Sequence, residues 1–205
     1  LYDIATGRDT RIPEIRSKEI NDKGVRGIIS TSDGTLWIAT HTGLYKRDMQ
    51  TNSFQHYTND TRDTRTLSNN RLYSLCLDNS GVLWIGTFGS GIDRVNLSRK
   101  QFHHYKHSGE DMPEQRDNMV MSLLEDSFGK IWVGTWENNL IEFDKQTNNW
   151  QRHRALNNTI NCLAEDAQGN IWISSNDAVE KYERRTGRII LKSLGTVNSL
   201  LVRNN

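Results

Sequence analysis

A seven-residue phrase occurs four times along this 205-residue chain and constrains the fold more than any other feature. It reads GTLWIAT from Gly34, GVLWIGT from Gly81, GKIWVGT from Gly129 and GNIWISS from Gly169. The tryptophans at its centre are spaced by 40 to 48 residues. A period of this length is typical of repeat architectures, in which each repeat is one supersecondary unit.

The same series of short segments surrounds each phrase. An apolar run begins nine residues before the glycine, as in LYSLCL from Leu72, and a polar turn such as DNSG follows it. After the tryptophan segment come a loop of small residues, a third segment such as IDRVN from Ile92, a second turn and a fourth segment such as FHHYKH from Phe102. These segments are rich in β-branched and aromatic residues and are bounded by turn residues, which predicts strands.

Four antiparallel strands in every 40 to 50 residues are typical of a β-propeller blade. We therefore expect an all-β fold made of a β-propeller segment. The predicted blades are residues 25–57, 71–107, 119–154 and 159–192, with partial blades at 1–15 and 196–205. The partial blades favour a segment of a larger propeller, while a four-bladed closure or a fifth blade shared by the two termini remain alternatives.

Strand alternation predicts the role of the repeated tryptophan. Trp84 and the small residue Gly86 face one side of the second strand, and Ile85 faces the other. We expect the four tryptophans to be structural, filling the wedge between neighbouring blades rather than stacking on a ligand: Trp37, Trp84, Trp132 and Trp172. The turn acids are expected to accept backbone N–H bonds within their turns: Asp78, Asp126 and Asp166.

Composition excludes several classes of function for this segment. The formal net charge is +1 and charges of both signs are intermixed, so no concentrated basic face for nucleic acid is expected. No run approaches the roughly 18 apolar residues that a membrane span needs.

Cys76 and Cys162 are predicted to be buried free thiols, and the HHYKH stretch from His103 is predicted to be an outer strand. We expect no metal, no cofactor and no catalytic residue.

The stretch from Thr66 to Val95 closely resembles the two-component regulator propeller repeat. The leader LSNNR, the turn DNSG, the strand LWIGT and the glycine-rich loop after it carry this resemblance. The last blade departs from the pattern, because ISS replaces IGT at 173–175 and the following NDAV has no glycine. Loop features of the family are therefore not transferred to that blade.

The resemblance implies the periplasmic sensor region of a Bacteroides-type hybrid two-component histidine kinase. In such proteins the propellers precede an immunoglobulin-like domain, a membrane helix, a histidine kinase and a response regulator. It also implies that the protein detects glycan-derived oligosaccharides and controls polysaccharide-utilisation genes, with no enzymatic activity in this segment. Self-association or contact with a second propeller is expected.

Candidate ligand contacts lie in the loops that join strands two and three and that link one blade to the next, where the repeats agree least. A sugar needs an aromatic platform and planar hydrogen-bonding groups, which Trp136 and its neighbours supply. An arginine could pair with an acidic sugar. The predicted ligand-binding residues are His41, Arg71, Phe88, Arg116, Trp136, Glu137, Asn138 and Asn139.

Two other classes of function stay open at this point. A propeller enzyme acting on polysaccharides as a lyase or hydrolase would need convergent side chains, and Glu137 and Asp177 are the obvious loop carboxylates. A propeller that binds only other proteins would need no small ligand.

Overall fold

The computed structural model describes residues 2–3, 8–9, 24–48, 50–51, 53–97, 101–105, 118–137, 139–154, 159–194 and 200. In these residues the structure is all β, with four antiparallel sheets of four strands each and one two-stranded ribbon. This part of the chain has no helix with the length and apolar character required to cross a bilayer. The predicted fold class is confirmed.

Every four-stranded sheet is a meander in which each strand pairs with its neighbours in sequence. The ribbon pairs β1 (Tyr2–Asp3) with β2 (Arg8–Asp9). Blade 1 consists of β3 (Gly27–Ser30), β4 (Leu36–Thr40), β5 (Gly43–Arg47) and β6 (Phe54–Tyr57). Blade 2 consists of β7 (Leu72–Leu77), β8 (Val82–Thr87), β9 (Ile92–Asn96) and β10 (Gln101–Tyr105). Blade 3 consists of β11 (Val120–Glu125), β12 (Ile131–Thr135), β13 (Asn139–Asp144) and β14 (Asn149–Arg154). Blade 4 consists of β15 (Ile160–Glu165), β16 (Ile171–Ser175), β17 (Ala178–Glu183) and β18 (Arg188–Leu194).

These strands lie within the predicted blade ranges, except that β18 ends two residues beyond residue 192. The ribbon β1–β2 lies in the predicted partial blade at 1–15. The second predicted partial blade, 196–205, falls outside the described residues apart from residue 200.

Neighbouring blades pack through their first two strands. The first strands of successive blades contact each other, and the second strand of a blade contacts the first strand of the next. Trp84 of blade 2 is 1% exposed and packs with Val120 and Ile131 of blade 3. On the opposite face of β8, Leu83 and Ile85 join Trp37 of blade 1. The tryptophan therefore occupies the inter-blade position that the alternation predicts, where its large apolar surface is removed from water.

An aspartate directly after the first strand closes the turn to the second strand. In blade 2, Asp78 Oδ1 accepts hydrogen bonds from the backbone N–H groups of Ser80 (2.9 Å) and Val82 (3.0 Å). These are the turn bonds that the sequence predicted. In addition, Asp78 Oδ2 accepts a bond from Trp84 Nε1 at 2.9 Å, which the sequence analysis did not foresee. Because the indole is buried, this bond satisfies a donor that would otherwise destabilise the core.

The same carboxylate–indole bond occurs in blades 3 and 4. Asp126 accepts from Trp132 Nε1 at 2.7 Å, and Asp166 accepts from Trp172 Nε1 at 3.0 Å. We call this unit the turn clasp. Its carboxylate accepts hydrogen bonds both from the turn backbone and from the tryptophan of the second strand.

A cation from the following blade completes two of the turn clasps. Lys145, directly after β13, places Nζ 2.8 Å from Asp78 Oδ2 and 2.6 Å from Glu125 Oε1. Arg184, directly after β17, contacts Asp126 Oδ2 in the same way. Burial opposes ionisation of Asp78, but hydrogen bonds from Lys145, Trp84 and Val82 outweigh it and lower the pKa of this carboxyl. The clasp is thus an ionic connection between blades.

The small residue two positions after the tryptophan permits this close approach. A β-carbon at Gly86 would overlap Ser74 Oγ and lie 2.6 Å from Val120 Cγ1 of blade 3. In blade 1 the same position is Ala39, and its cross-strand partner is Gly27 rather than a serine. Blade 1 therefore has glycine on its first strand and the larger residue on its second strand, which is the reverse of blade 2.

Replacing Asp78 by alanine tests the turn clasp. We expect Asp78→Ala to lower the free energy of unfolding by about 3 kcal/mol, because the buried Trp84 N–H and Lys145 both lose an acceptor. The measurement is urea denaturation at pH 7. Since the folded-state pKa of Asp78 is lowered, the carboxylate stabilises the fold above its ordinary pKa near 4, and this contribution declines as pH falls below that value.

Thr31→Ala is the matched control, because Thr31 holds the same position in blade 1 and makes no bond to Trp37. It should cost less than about 1 kcal/mol. Equal losses in the two variants would contradict the role of the carboxylate–indole bond.

The inter-blade spacing is tested by Gly86→Ala. Overpacking against Ser74 and Val120 should lower the free energy of unfolding by about 2 kcal/mol. The double variant Ser74→Gly/Gly86→Ala reproduces the pair found in blade 1 and should recover part of this loss. If denaturant unfolding gave Gly86→Ala the same free energy of unfolding as the wild type, the proposed contact would be disproved.

Candidate functional site

The loop end of the fold, where strands two and three are joined and successive blades are linked, carries residues that the blades do not share. In blades 2, 3 and 4 the pairing register shifts after the first residue of the first strand. The extra residue is Tyr73, Met121 or Asn161, and Arg26 holds the same sequence position in blade 1. Because a β-bulge takes its extra residue out of the ladder, it can direct that side chain toward a site.

A second variable residue directly follows the second strand of each blade. These residues are His41, Phe88, Trp136 and Asn176. In two blades the first of these residues lies beside the second: Arg26 Nε donates to His41 Nε2 at 2.8 Å in blade 1, and Asn161 Nδ2 donates to Asn176 Oδ1 at 2.8 Å in blade 4. Blades 1 and 4 thus each present a hydrogen-bonded pair of side chains at the loop end.

Ring contacts connect the corresponding residues of blades 1 and 2. The ring centroids of His41 and Tyr73 are 5.4 Å apart, and those of Tyr73 and Phe88 are 5.6 Å apart with nearly parallel planes. Arg71 Cζ lies 4.3 Å from the centroid of Phe88, and Arg26 Cζ lies 5.1 Å from that of Tyr73. We call these five residues the arginine–aromatic cluster.

The backbone around this cluster is held in place. The N–H of Phe88 donates to the carbonyl oxygen of Arg71 at 2.9 Å, and the N–H of Arg71 donates to Asn69 Oδ1 at 2.8 Å. Asn69 Nδ2 in turn donates to the carbonyl oxygen of Phe88 at 2.8 Å. These three bonds fix the position of the arginine over the ring without using its guanidinium.

The electrostatics of the cluster favour an anionic ligand. Partial burial, together with the charges of Arg26 and Arg71, lowers the pKa of His41. His41 Nε2 accepts the bond from Arg26, so the imidazole is neutral in this arrangement. Within the described residues neither guanidinium is paired with a carboxylate. Two positive charges therefore stand beside aromatic faces at the surface, an arrangement that can pair with a carboxylate or sulfate and stack on an apolar ring.

Trp136 of blade 3 is 46% exposed at the same end. Its backbone is anchored on both sides, because its N–H donates to the carbonyl of Met119 (3.0 Å) and its carbonyl accepts from Thr159 Oγ1 (3.0 Å). Glu137 follows it and is partly exposed. The indole ring is therefore a surface platform on a fixed backbone.

The other predicted contacts have different outcomes. Asn139 is only 2% exposed, because it begins β13 and its N–H donates to Thr135 Oγ1. The expectation that it is an accessible loop residue was wrong. Arg116 and Asn138 lie outside the described residues. The structure brings His41, Arg71 and Phe88 together, and it places Trp136 and Glu137 on blade 3.

Sequence reasoning missed Arg26, Tyr73 and Asn161. All three were assigned to first strands, whose residues are expected in the sheet. The signal that could have found them is their shared position, one residue after the start of each apolar run, where the repeats have arginine, tyrosine, methionine and asparagine.

Cys76 and Cys162 are free thiols as predicted, but both have an intermediate exposure, so the prediction that they are buried was wrong. His104 contacts Asp93 Oδ1 and the carbonyl oxygen of Thr64, each at 2.7 Å. Partial burial raises the pKa of Cys76 to about 11, which makes its thiol a poor nucleophile at neutral pH. No group of three or more potential metal ligands is found in the described part of the chain.

Solved structures similar to this chain include extracellular domains of putative bacterial signalling systems. The extracellular domain of a putative one component system from B. thetaiotaomicron aligns with a TM-score of 0.73 and 24% identity, over 87% of this chain and 25% of that one. The extracellular domain of a putative hybrid two component system from the same organism aligns with a TM-score of 0.71 and 25% identity, over 82% and 22%. This chain therefore spans about a quarter of the length of these relatives.

Virginiamycin B lyase from Staphylococcus aureus is also similar, with a TM-score of 0.68 and 16% identity over 83% of this chain and 56% of the lyase. At this identity the likeness concerns the fold alone. No curated protein sequence matches the chain significantly. Residues 66–89, 114–137 and 155–177 each match the two component regulator propeller family. These three stretches, which lie at blades 2, 3 and 4, therefore match two component regulator propeller repeats.

Proposed function

We propose that this chain is an extracytoplasmic sensor segment of a hybrid two-component system and that its loop end binds a glycan-derived oligosaccharide. The repeat family and the similarity to extracellular domains of putative two-component systems support the sensor role. The single observation that carries the ligand site is the arginine–aromatic cluster. Two guanidinium groups, which no carboxylate of the described residues pairs with, stand there beside stacked rings.

The chemistry of the cluster suits an acidic oligosaccharide. The faces of Tyr73, Phe88 and Trp136 can pack against the C–H face of a sugar ring, while Arg26 and Arg71 bind a carboxylate or sulfate with charge-assisted hydrogen bonds. Asn161 and Asn176 on blade 4 add amide groups at the same end, which suit hydroxyl groups. The segment itself is a binding module and carries out no reaction.

Signalling follows from differential binding. On this proposal the full-length protein is a histidine kinase. An oligosaccharide bound at the loop end in the periplasm shifts an existing equilibrium between arrangements of paired propellers. A ligand can shift this equilibrium only by the difference between its affinities for the two arrangements. The output is transcription of polysaccharide-utilisation genes.

The loop-end site is tested by a thermal-shift and calorimetric screen with neutral and acidic glycan oligosaccharides. We expect an acidic oligosaccharide to raise the melting temperature. Arg71→Ala should weaken its binding at least tenfold, about 1.4 kcal/mol, because a charge-assisted pair is lost. Trp136→Ala should also weaken it, since an aromatic platform is removed.

Two variants at the opposite end are the matched controls. Arg188→Ala removes an exposed arginine, and Phe128→Ala removes an aromatic side chain that is 65% exposed. Neither should change the affinity. Unchanged affinity in Arg71→Ala and Trp136→Ala would reject the site.

Turnover of an oligosaccharide would favour an enzyme using Glu137 or Asp177. Tight self-association without any oligosaccharide response would favour a protein-interaction propeller.

A further inference from the structure

The junction between blades 1 and 2 differs from the other two junctions at the turn end, which is opposite the loop end. In blade 1 the clasp aspartate is replaced by Thr31, and in blade 2 the clasp cation is replaced by Leu97. Thr31 directs its hydroxyl into its own turn, where it contacts Asp33 and donates to the carbonyl of Thr35 at 3.2 Å. Acid and cation are thus both absent from one junction and both present at the next two.

A cavity of about 260 Å³, open to solvent, lies where the clasp would be. Its polar lining comes from the blade 1 turn and from Lys46, and its apolar lining from Trp37, Leu77 and Leu97. Trp37 is 5% exposed, and no oxygen of the described residues accepts a hydrogen bond from its Nε1. Lys46, its cross-strand partner, places Nζ 5.7 Å from the centroid of the Trp37 ring.

Blade 4 shows what these two donors bind when a carboxylate is present. Trp172 and Lys181 hold the positions of Trp37 and Lys46 and are likewise cross-strand partners. Both approach one oxygen, Asp166 Oδ2, with Trp172 Nε1 at 3.0 Å and Lys181 Nζ at 3.8 Å. An indole N–H and an ammonium group at these positions therefore form a carboxylate site.

From this comparison we infer that the cavity between blades 1 and 2 binds a small hydroxylated carboxylate from solution. Its carboxylate accepts from Trp37 Nε1 and pairs with Lys46, as Asp166 does within blade 4. Asp33 also lines the cavity, with its Oδ1 accepting from Thr31 and from the N–H of Thr35. A second carboxylate so close repels a purely anionic ligand, so the ligand must offer hydroxyl groups toward Asp33.

The cavity volume sets the size of the ligand. About 260 Å³ lies just below the usual range for ligand pockets, which suits one sugar-sized molecule rather than an oligosaccharide. Leu77 and Leu97 contact its carbon skeleton. This site lies at the opposite end of the blades from the arginine–aromatic cluster and does not depend on the proposed oligosaccharide site.

Isothermal titration calorimetry of the full chain with sodium D-glucuronate tests this inference. One glucuronate should bind at the junction. D-glucose, which has the hydroxyl groups without the carboxylate, and acetate, which has the carboxylate without the hydroxyl groups, should each bind at least tenfold more weakly. Acetate binding as tightly as glucuronate would overturn the hydroxylated class, and no binding of glucuronate would overturn the site.

Substitutions locate the binding. Thr31→Asp supplies the internal carboxylate of the other blades, so it should abolish glucuronate binding while raising the melting temperature. Lys46→Met should weaken binding at least tenfold. Lys181→Met is the matched control in blade 4, where the internal Asp166 already binds the donors, and it should leave the affinity unchanged. Wild-type affinity in Thr31→Asp and Lys46→Met would overturn the assignment.

Discussion

The bond between a turn carboxylate and a buried indole is the interaction on which the packing of blades 2, 3 and 4 depends. A tryptophan fills the wedge between two sheets well, but its N–H group must have an acceptor when it is removed from water. Asp78 and its counterparts meet this need with Oδ2, while Oδ1 holds the turn that joins the first two strands. One side chain thus couples the local turn to packing between blades, and a lysine or arginine from the next blade extends it into an ionic contact.

The two ends of the blades differ in how closely the four repeats agree. At the turn end the repeats agree, apart from the junction where Thr31 and Leu97 replace the acid and the cation. At the loop end they differ in every blade, and in blades 2, 3 and 4 a register shift adds a variable residue there. The repeated hydrogen bonds stabilise the frame, which leaves the residues at the loop end free to differ between blades, as binding residues on a rigid scaffold do.

Much of the fold could be predicted from sequence because strand order and turn chemistry are local properties that occur four times. Glycine at the turns, alternation along the second strand and the apolar run before it specify a four-stranded meander without knowledge of distant contacts. The candidate site could be predicted only in part. His41, Arg71 and Phe88 were found because they stand in variable loops. Arg26 and Tyr73 were not, because the register shift at Tyr73 and the contact of Arg26 with His41 depend on a second strand and leave no mark in a single one.

The sequence by itself determined the repeat, the blade architecture and the resemblance to the repeat family, since each depends on patterns within about 45 residues. Only the tertiary structure decided which side chains meet across blades. The bond from Trp84 to Asp78, the ion pair of Lys145 with Asp78 and the ring contact of His41 with Tyr73 all join residues from different strands or blades. Their distances are set by how the sheets pack, and packing depends on side-chain volumes across the interface, such as Gly86 against Val120, rather than on the order of residues along one strand.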